Sequence, residues 1–194
     1  MEITTELIKQ LRDTTGVSVM QCKKALEEAG GDMAKAIIIL SKKSKEAAEK
    51  KGDRELGAGI VESYIHNTKA VGVLVELMSE TDFVANNAEF QKLAKDIAMH
   101  IAASNPEYLK KEDISDESRA TAREVFVKEV ADKPEAMQEK ILQGKLDAHF
   151  NAKVLLEQPF IKNPEQTIQN LIDQAVQKFG EKIVISRFAR YSVK

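Results

Sequence analysis

The chain has 194 residues, of which 43% are hydrophobic and 31% charged, and these ordinary values exclude a disordered tail as its main element. Its 29 basic and 31 acidic residues give a net charge of -2, whereas a protein that coats nucleic acid usually carries a positive excess. The length fits one large domain or two small ones.

The cysteine content and the N-terminal sequence predict a cytoplasmic protein. Cys22 is the only cysteine, so no intrachain disulfide can form. The first residues contain neither the basic and apolar regions of a secretory signal nor the arginine-rich pattern of a transit peptide. The longest apolar run, Ala36 to Leu40, is far shorter than the roughly 20 residues that cross a bilayer, so we expect no membrane association.

The first 50 residues predict three short amphipathic helices. The first stops at Gly16, and the second opens at Ser18 with Gln21 three residues later, which is typical of a capping box. The third follows Asp32, a favourable N-cap residue. The apolar positions of the three helix faces recur at helical spacing, and they are Ile3, Leu7, Ile8 and Leu11, then Cys22, Ala25, Leu26 and Ala29, then Met33, Ala36, Ile37 and Leu40.

A lysine-rich segment, residues 41–51, follows the third helix. It favours helix until Gly52 and Asp53 break it, so we interpret it as a helical extension that tethers two domains, residues 1–52 and 53–194. Its lysines form either a patch for an acidic partner or a solvated helix end, and the solvated end is the commoner case.

The second domain is predicted to contain a small antiparallel sheet. Residues 60–66 and 71–78 are rich in β-branched residues and flank a short turn, which predicts a hairpin. Alternating apolar residues at 71, 73, 75 and 77 indicate that one face of the second strand is buried. A third strand is expected near the C-terminus, with one face formed by Ile183, Ile185, Ala189, Tyr191 and Val193.

Four helices are predicted around this sheet. One covers residues 87–103, and two more, residues 117–130 and 134–150, form an antiparallel helical hairpin joined by Asp132-Lys133. The last, residues 164–179, is expected to have Asn163 as its N-cap, a proline in its first position and a glycine beyond its end. The fold class is therefore α+β: a three-helix module, then an antiparallel sheet of about three strands packed with helices and a helical hairpin.

The sequence contains no pattern typical of covalent catalysis, a cofactor or a metal. No phosphate-binding glycine loop is present, and Gly57-Ala58-Gly59 lacks the third glycine of a dinucleotide motif and precedes a strand. His66, His100 and His149 lack the spacing of metal ligands. Cys22 lies on an apolar helix face, which favours a core residue over a reactive thiol. We therefore expect a protein that binds a macromolecule, not an enzyme.

Two segments carry a resemblance to a known family. Residues 11–26 are LRDTTGVSVMQCKKAL, followed by Gly31-Asp32, and residues 81–90 are TDFVANNAEF. Together with QPF at residues 158–160 and RFARY at 187–191, these segments closely resemble elongation factor Ts, the guanine-nucleotide exchange factor of bacterial translation. The resemblance runs essentially from end to end of the chain.

The resemblance implies a ubiquitin-associated-like N-terminal domain and a core that binds elongation factor Tu, with no enzymatic activity and no cofactor or metal of its own. It further implies that one aromatic ring, Phe83, enters a crevice of the GTPase, displaces the segment that holds magnesium and so promotes GDP release. The magnesium-displacing loop of the family corresponds here to Thr81, Asp82, Phe83 and Val84. The implied contacts of the N-terminal module are Arg12, Val19, Met20 and Lys23.

The residues by themselves leave structural alternatives open. Phe83 lies seven residues before Phe90, which is also consistent with one apolar helix stripe that enters the core. Asp82 is also a reasonable helix N-cap. Val19 and Met20 would equally serve to fill the core of a small bundle.

Alternative functions and the oligomeric state are also open. A three-helix module suits an adaptor for ubiquitin-like or chaperone partners, although an adaptor has no use for a projecting loop at residues 81–84. An RNA- or ribosome-associated protein is disfavoured by the acidic charge and by the lack of a basic, aromatic strand face. Because long family members have two related core halves and a coiled coil, and a sheet of three strands has two open edges, we expect this short chain to form a homodimer through its core.

Overall fold

The computed structural model describes residues 3–132 and 134–193. Within them the helices are α1 (Thr5–Thr15), α2 (Val19–Glu28), α3 (Met33–Glu49), α4 (Asp82–Ala85), α5 (Ala88–Ser104), α6 (Asp116–Val130), α7 (Glu135–Asn151) and α8 (Ile168–Phe179). The strands are β1 (Ala58–Ile65), β2 (Val71–Ser79), β3 (Pro159–Phe160), β4 (Asn163–Thr167) and β5 (Val184–Ser192). This composition confirms the predicted α+β class.

The three predicted N-terminal helices form a bundle. Thr4, Ser18 and Asp32 each accept a hydrogen bond from the backbone N–H three residues further on, which satisfies a donor at the start of each helix. Gln21 accepts a hydrogen bond from the Ser18 hydroxyl (3.0 Å), so its side chain meets the cap hydroxyl and not the cap backbone as a full capping box requires. The buried residues of the bundle are Leu11, Val17, Cys22, Ala25, Leu26, Ala36 and Leu40.

One apolar position was assigned wrongly in this bundle. Ile37 was predicted on the buried face of α3, but its side chain is exposed, as is that of Ile38. Ala36 and Leu40 fill the bundle, and Ile39 packs partly against them. The helices α1 and α2 cover only a narrow stripe of α3. Relative to the predicted face, this stripe is rotated away from Ile37 and toward Ile39.

The lysine-rich segment is the C-terminal part of α3, which confirms the helical extension. It packs against α8, where Ser44 is buried and donates hydrogen bonds to Leu40 O (2.9 Å) and to Gln177 Oε1. Ala48 packs against the main core. The division into domains 1–52 and 53–194, and the likeness of the bundle to ubiquitin-associated domains, stay predictions.

The central sheet has the strand order β1-β2-β5 with antiparallel pairing throughout. The predicted hairpin is confirmed as β1 and β2, and Val73, Val75 and Leu77 of β2 are buried. The main core lies between this sheet and the helices α5 and α8. Its largest fully buried side chains include Leu77, Phe90, Ile97, Ile101, Leu155, Ile168 and Ile183.

A bulge in β5 changes which residues face the core. Ser186 has no partner in β2, so it is an extra residue that shifts the alternation of the strand. Ile185, before the bulge, is buried as predicted, but after the bulge Phe188 packs against the core while Tyr191 and Val193 are exposed. The prediction that all five apolar residues share one face was wrong for this reason.

The start of the last helix was also predicted wrongly. Asn163 and Pro164 lie in β4, which pairs with β3, and α8 begins at Ile168. Thr167 is the N-cap: its hydroxyl accepts from the Asn170 N–H (3.2 Å), and Asn170 Oδ1 accepts from the Thr167 N–H (3.1 Å). This reciprocal capping box satisfies two backbone donors, whereas Asn163 would satisfy one.

The predicted helical hairpin is confirmed as α6 and α7. It is held by the exposed ion pairs Arg123–Glu139 and Lys145–Glu129 and by a small apolar cluster around Ala122 and Phe150. Asp132 belongs to the connection, and Lys133 lies outside the described residues.

His100 is fully buried between α5 and the β3–β4 turn. Its Nδ1 accepts a hydrogen bond from the Ile161 N–H (3.3 Å), so the proton lies on Nε2, which donates to Gln158 Oε1 (2.9 Å). Gln158 in turn donates to Ala152 O (2.7 Å). Burial lowers the pKa of His100, and the Gln158 hydrogen bond offsets part of this effect.

Stability should therefore depend on pH through His100. The folded pKa is below the ordinary value of 6.5, so the unfolded chain takes up a proton first, and stability falls as pH drops from 6.5 toward the folded pKa. Urea unfolding should show a larger loss of free energy between about pH 7.5 and about pH 5.5 in the wild type than in His100→Gln. The exposed-histidine control His66→Gln should behave like the wild type, and equal pH dependence in all three proteins would contradict this assignment.

Candidate partner-docking site

The connection between β2 and α5 places one aromatic ring at the surface. Thr81 is the N-cap of α4, and its hydroxyl accepts from the Val84 N–H (3.4 Å). Val84 and Ala85 are buried in the main core, whereas Phe83 is 81% exposed. The ring therefore projects from a single helical turn that is anchored by its neighbours.

Two structural alternatives for this loop were wrong. The N-cap of α4 is Thr81, and Asp82 is the first helical residue, exposed in the first turn. Phe83 does not continue the stripe of α5, although Phe90 is fully buried in the core as that stripe requires. The functional role of residues 81–84 stays a prediction.

The base of the loop is held by residues that follow α8. The Glu181 carboxylate accepts hydrogen bonds from the Thr81 N–H (3.1 Å) and hydroxyl (2.6 Å). Glu80 accepts from the Lys182 N–H (2.6 Å) and from Arg54 Nη1 (3.1 Å). The Lys182 hydrogen bond, with help from the Arg54 guanidinium, lowers the pKa of the Glu80 carboxyl.

No sequence motif points to Glu80 or Glu181 as site residues. Their partners lie about 100 positions away along the chain, so no local spacing reveals them. They fix the position of the loop from outside it, and Phe83 itself makes none of these hydrogen bonds. The structure therefore adds two positioning residues to the four that the resemblance named.

The residues predicted in the N-terminal bundle lie on its surface. Arg12, Val19, Met20 and Lys23 are all exposed, and the Met20 side chain is 65% exposed. The alternative that Val19 and Met20 fill the bundle core was wrong, since Cys22 on the same helix does so. Within the described residues, no hydrogen bond or ion pair joins this surface to residues 81–84, so the two groups form separate candidate surfaces.

Cys22 occupies a core position, as predicted. It is fully buried, and burial raises the pKa of its thiol, although the Thr15 hydroxyl at 3.9 Å acts in the opposite direction.

Across residues 3–132 and 134–193, there is no group of three or more His, Cys, Asp or Glu side chains that could hold a metal ion. None of the helices in this part of the chain has the length and apolar character needed to cross a membrane.

A family model described as "Elongation factor TS" matches residues 2–194. The chain belongs to the elongation factor Ts family. It is 51% identical to elongation factor Ts of Thermodesulfovibrio yellowstonii over 100% of this chain and 97% of the relative. It is 47% identical to elongation factor Ts of Thermosipho melanesiensis over 98% of this chain and 98% of the relative. It is 45% identical to elongation factor Ts of Desulforamulus reducens over 99% of this chain and 89% of the relative. These matches confirm the resemblance, and membership of the elongation factor Ts family makes the chain a translation elongation factor of protein biosynthesis.

The two phenylalanines of this region should respond differently to truncation. Phe83→Ala should change the free energy of unfolding by less than about 0.5 kcal/mol, because the ring is exposed. Phe90→Ala should cost about 3–5 kcal/mol, because it leaves a cavity in the main core. Urea denaturation of both variants checks this, and a loss at Phe83 as large as that at Phe90 would show that its ring is packed.

Proposed function

We propose that the protein is a guanine-nucleotide exchange factor for elongation factor Tu, acting in the cytoplasm without enzymatic activity of its own. It binds the GDP complex, displaces magnesium and promotes GDP release, so that GTP can bind. The observation that supports this proposal best is the exposed Phe83 ring on an anchored turn, in a chain of the elongation factor Ts family.

The geometry of the loop suits insertion into a crevice. An aromatic ring offers a large apolar surface whose burial favours association. Val84 and Ala85 are fixed in the core, and Thr81 is bonded to Glu181, so little backbone freedom is lost when the ring enters a partner. Asp82, exposed beside the ring, is its polar companion in the contact.

Displacement of magnesium explains how such a contact would release GDP. The cation neutralises phosphate charge, so its loss weakens GDP binding. A factor that binds nucleotide-free elongation factor Tu more tightly than the GDP form must lower GDP affinity by the same factor. The partner's own nucleotide and magnesium are then the objects of the reaction, and this chain supplies binding energy.

Phe83→Ala should reduce the stimulated release of a fluorescent GDP analogue from elongation factor Tu by about tenfold or more, as loss of an aromatic hot spot does. The matched control is Val125→Ala, which truncates an exposed apolar residue on α6 and should not affect release. With magnesium already chelated, the stimulation by the wild type should shrink without vanishing, since other contacts still favour the nucleotide-free form. Release at the wild-type rate by folded Phe83→Ala would refute the role of this ring.

We also propose that Arg12, Val19, Met20 and Lys23 bind the nucleotide-binding domain of elongation factor Tu. Met20→Ala should weaken the complex several-fold by calorimetry, while the control Met137→Ala, which truncates an exposed methionine on α7, should not.

Deleting residues 1–40 leaves the part of α3 that packs on α8, so the core should keep its cooperative unfolding while binding weakens. Loss of the cooperative transition would contradict the division into two domains.

A homodimer through the core is the third element of the proposal. The outer face of the sheet carries exposed apolar side chains from all three strands, including Val61, Ile65, Leu74 and Tyr191. Contiguous apolar surface of this kind often marks a protein interface. Cys22 is buried in the N-terminal bundle, so this dimer does not depend on a disulfide.

Sedimentation equilibrium tests the dimer. At tens of micromolar, roughly the range in which a functional interface persists, we expect a mass above that of the 21.6 kDa monomer. Leu74→Glu should produce a monomer because it places a charge in the apolar face, whereas Val127→Glu on α6 should not. A wild-type protein that sediments only as a monomer would remove the claim.

A further inference from the structure

A groove of about 830 Å³ lies between α3, α8 and β5, and residues 81–84 do not line it. Its remaining walls come from the segments around Leu109 and Leu156. The volume is within the range of about 300–1,000 Å³ that is usual for ligand sites. The groove is lined by none of the residues that form the three surfaces proposed above.

One wall of the groove is the edge of the sheet. Four consecutive residues, Ile183 to Ser186, line it. Because the side chains of a strand alternate between its two faces, consecutive residues border the same cavity when that cavity lies along the backbone edge of the strand. β5 is the last strand of the order β1-β2-β5, and among the described residues no backbone hydrogen bond joins residues 183–186 to any segment except β2.

The floor of the groove is apolar. Leu109 and Leu156 are partly buried against the main core, and Ile172, Val176 and Ile183 complete the surface. An apolar side chain that entered here would replace water against Leu109 and Leu156, which are only partly buried, and this favours its binding.

The groove also contains a buried carboxylate. Asp173 is 5% exposed, and one hydrogen bond, from Gln169 Nε2 (2.7 Å), reaches it from the described part of the chain. Burial raises the pKa of this carboxyl, against the effects of Gln169 and the Lys45 charge. Lys45 also lines the groove, but within the described residues it forms no hydrogen bond or ion pair with Asp173. Lys182, on the same wall, is already bonded to the carbonyls of Gly52 and Arg54, so Asp173 retains capacity for a cationic donor.

We propose that this groove binds an extended segment of another protein, which pairs with the β5 edge at residues 183–186 and places a lysine or arginine side chain on Asp173. An extended backbone supplies alternating donors and acceptors that pair with the free N–H and C=O groups of a strand edge, as in strand addition by peptides. An apolar side chain of the same segment lies over Leu109 and Leu156. The basic residue is specified by charge, since a buried carboxylate is best satisfied by a hydrogen-bonded cation.

The probe is a positional-scanning library of octapeptides, acetylated and amidated at their ends, titrated against the full chain without elongation factor Tu. Lysine or arginine should be selected at one position and an apolar residue at another. Asp173→Asn should weaken the selected basic peptide about tenfold or more, and it should leave the matched peptide with leucine at that position unchanged. The control Glu165→Gln, an exposed carboxylate on β4, should have no effect.

N-methylated peptides test the strand pairing on the unmodified protein. N-methylation of alternate residues in one register should abolish binding, because it removes the donors that face β5, while methylation in the other register should be tolerated. Amide hydrogen exchange should slow at residues 183–186 when the peptide binds. The proposal would be overturned if no residue is selected or if both methylation registers are tolerated equally. It would also be overturned if exchange at residues 183–186 slows with protein concentration alone, because that result indicates a second copy of the chain in the groove.

Discussion

The hydrogen bonds that Thr81 donates to Glu181 and that the Lys182 N–H donates to Glu80, just after β2, are the constraint on which the rest of the structure depends. Glu181 holds Thr81, and the Lys182 backbone holds Glu80. The Lys182 ammonium also donates to Gly52 O (2.6 Å) and Arg54 O (2.9 Å), immediately after the end of α3. Three distant parts of the chain therefore meet at one point. Each of these exposed contacts is weakened by solvent screening, but together they set the position of the loop.

The elements that sequence reasoning located are those with local signals. The caps at Ser18 and Asp32 depend on residues within one turn, and the alternation in β2 depends on one strand. The errors arose where tertiary contacts or a second local signal decided the outcome. The bulge at Ser186 is defined by pairing with a distant strand, and the Thr167 cap outcompeted the helix start signalled at Asn163.

The candidate site also contains some features that a local sequence pattern reveals and others that depend on tertiary contacts. The motif at residues 81–84 could be recognised, but the exposure of Phe83 could not be derived from its distance to Phe90. That spacing would place both rings on one face only if a single helix joined them. The chain instead breaks at Asn86 and Asn87, which end α4 and cap α5, so the helical phase is lost between the two rings. No sequence pattern could identify Glu181, because its partner Thr81 lies 100 residues away along the chain.

The two proposed docking surfaces are connected by α3, which is continuous from the N-terminal bundle to its contact with α8. Its 17 residues span about 25 Å at a rise of 1.5 Å per residue, from the bundle to the wall of α8. A partner held by the bundle would then meet the Phe83 turn at a high effective concentration, because no flexible linker dilutes the second contact. Modest affinity at each proposed surface would then be enough for a tight complex, and either contact could dissociate and rebind while the other holds.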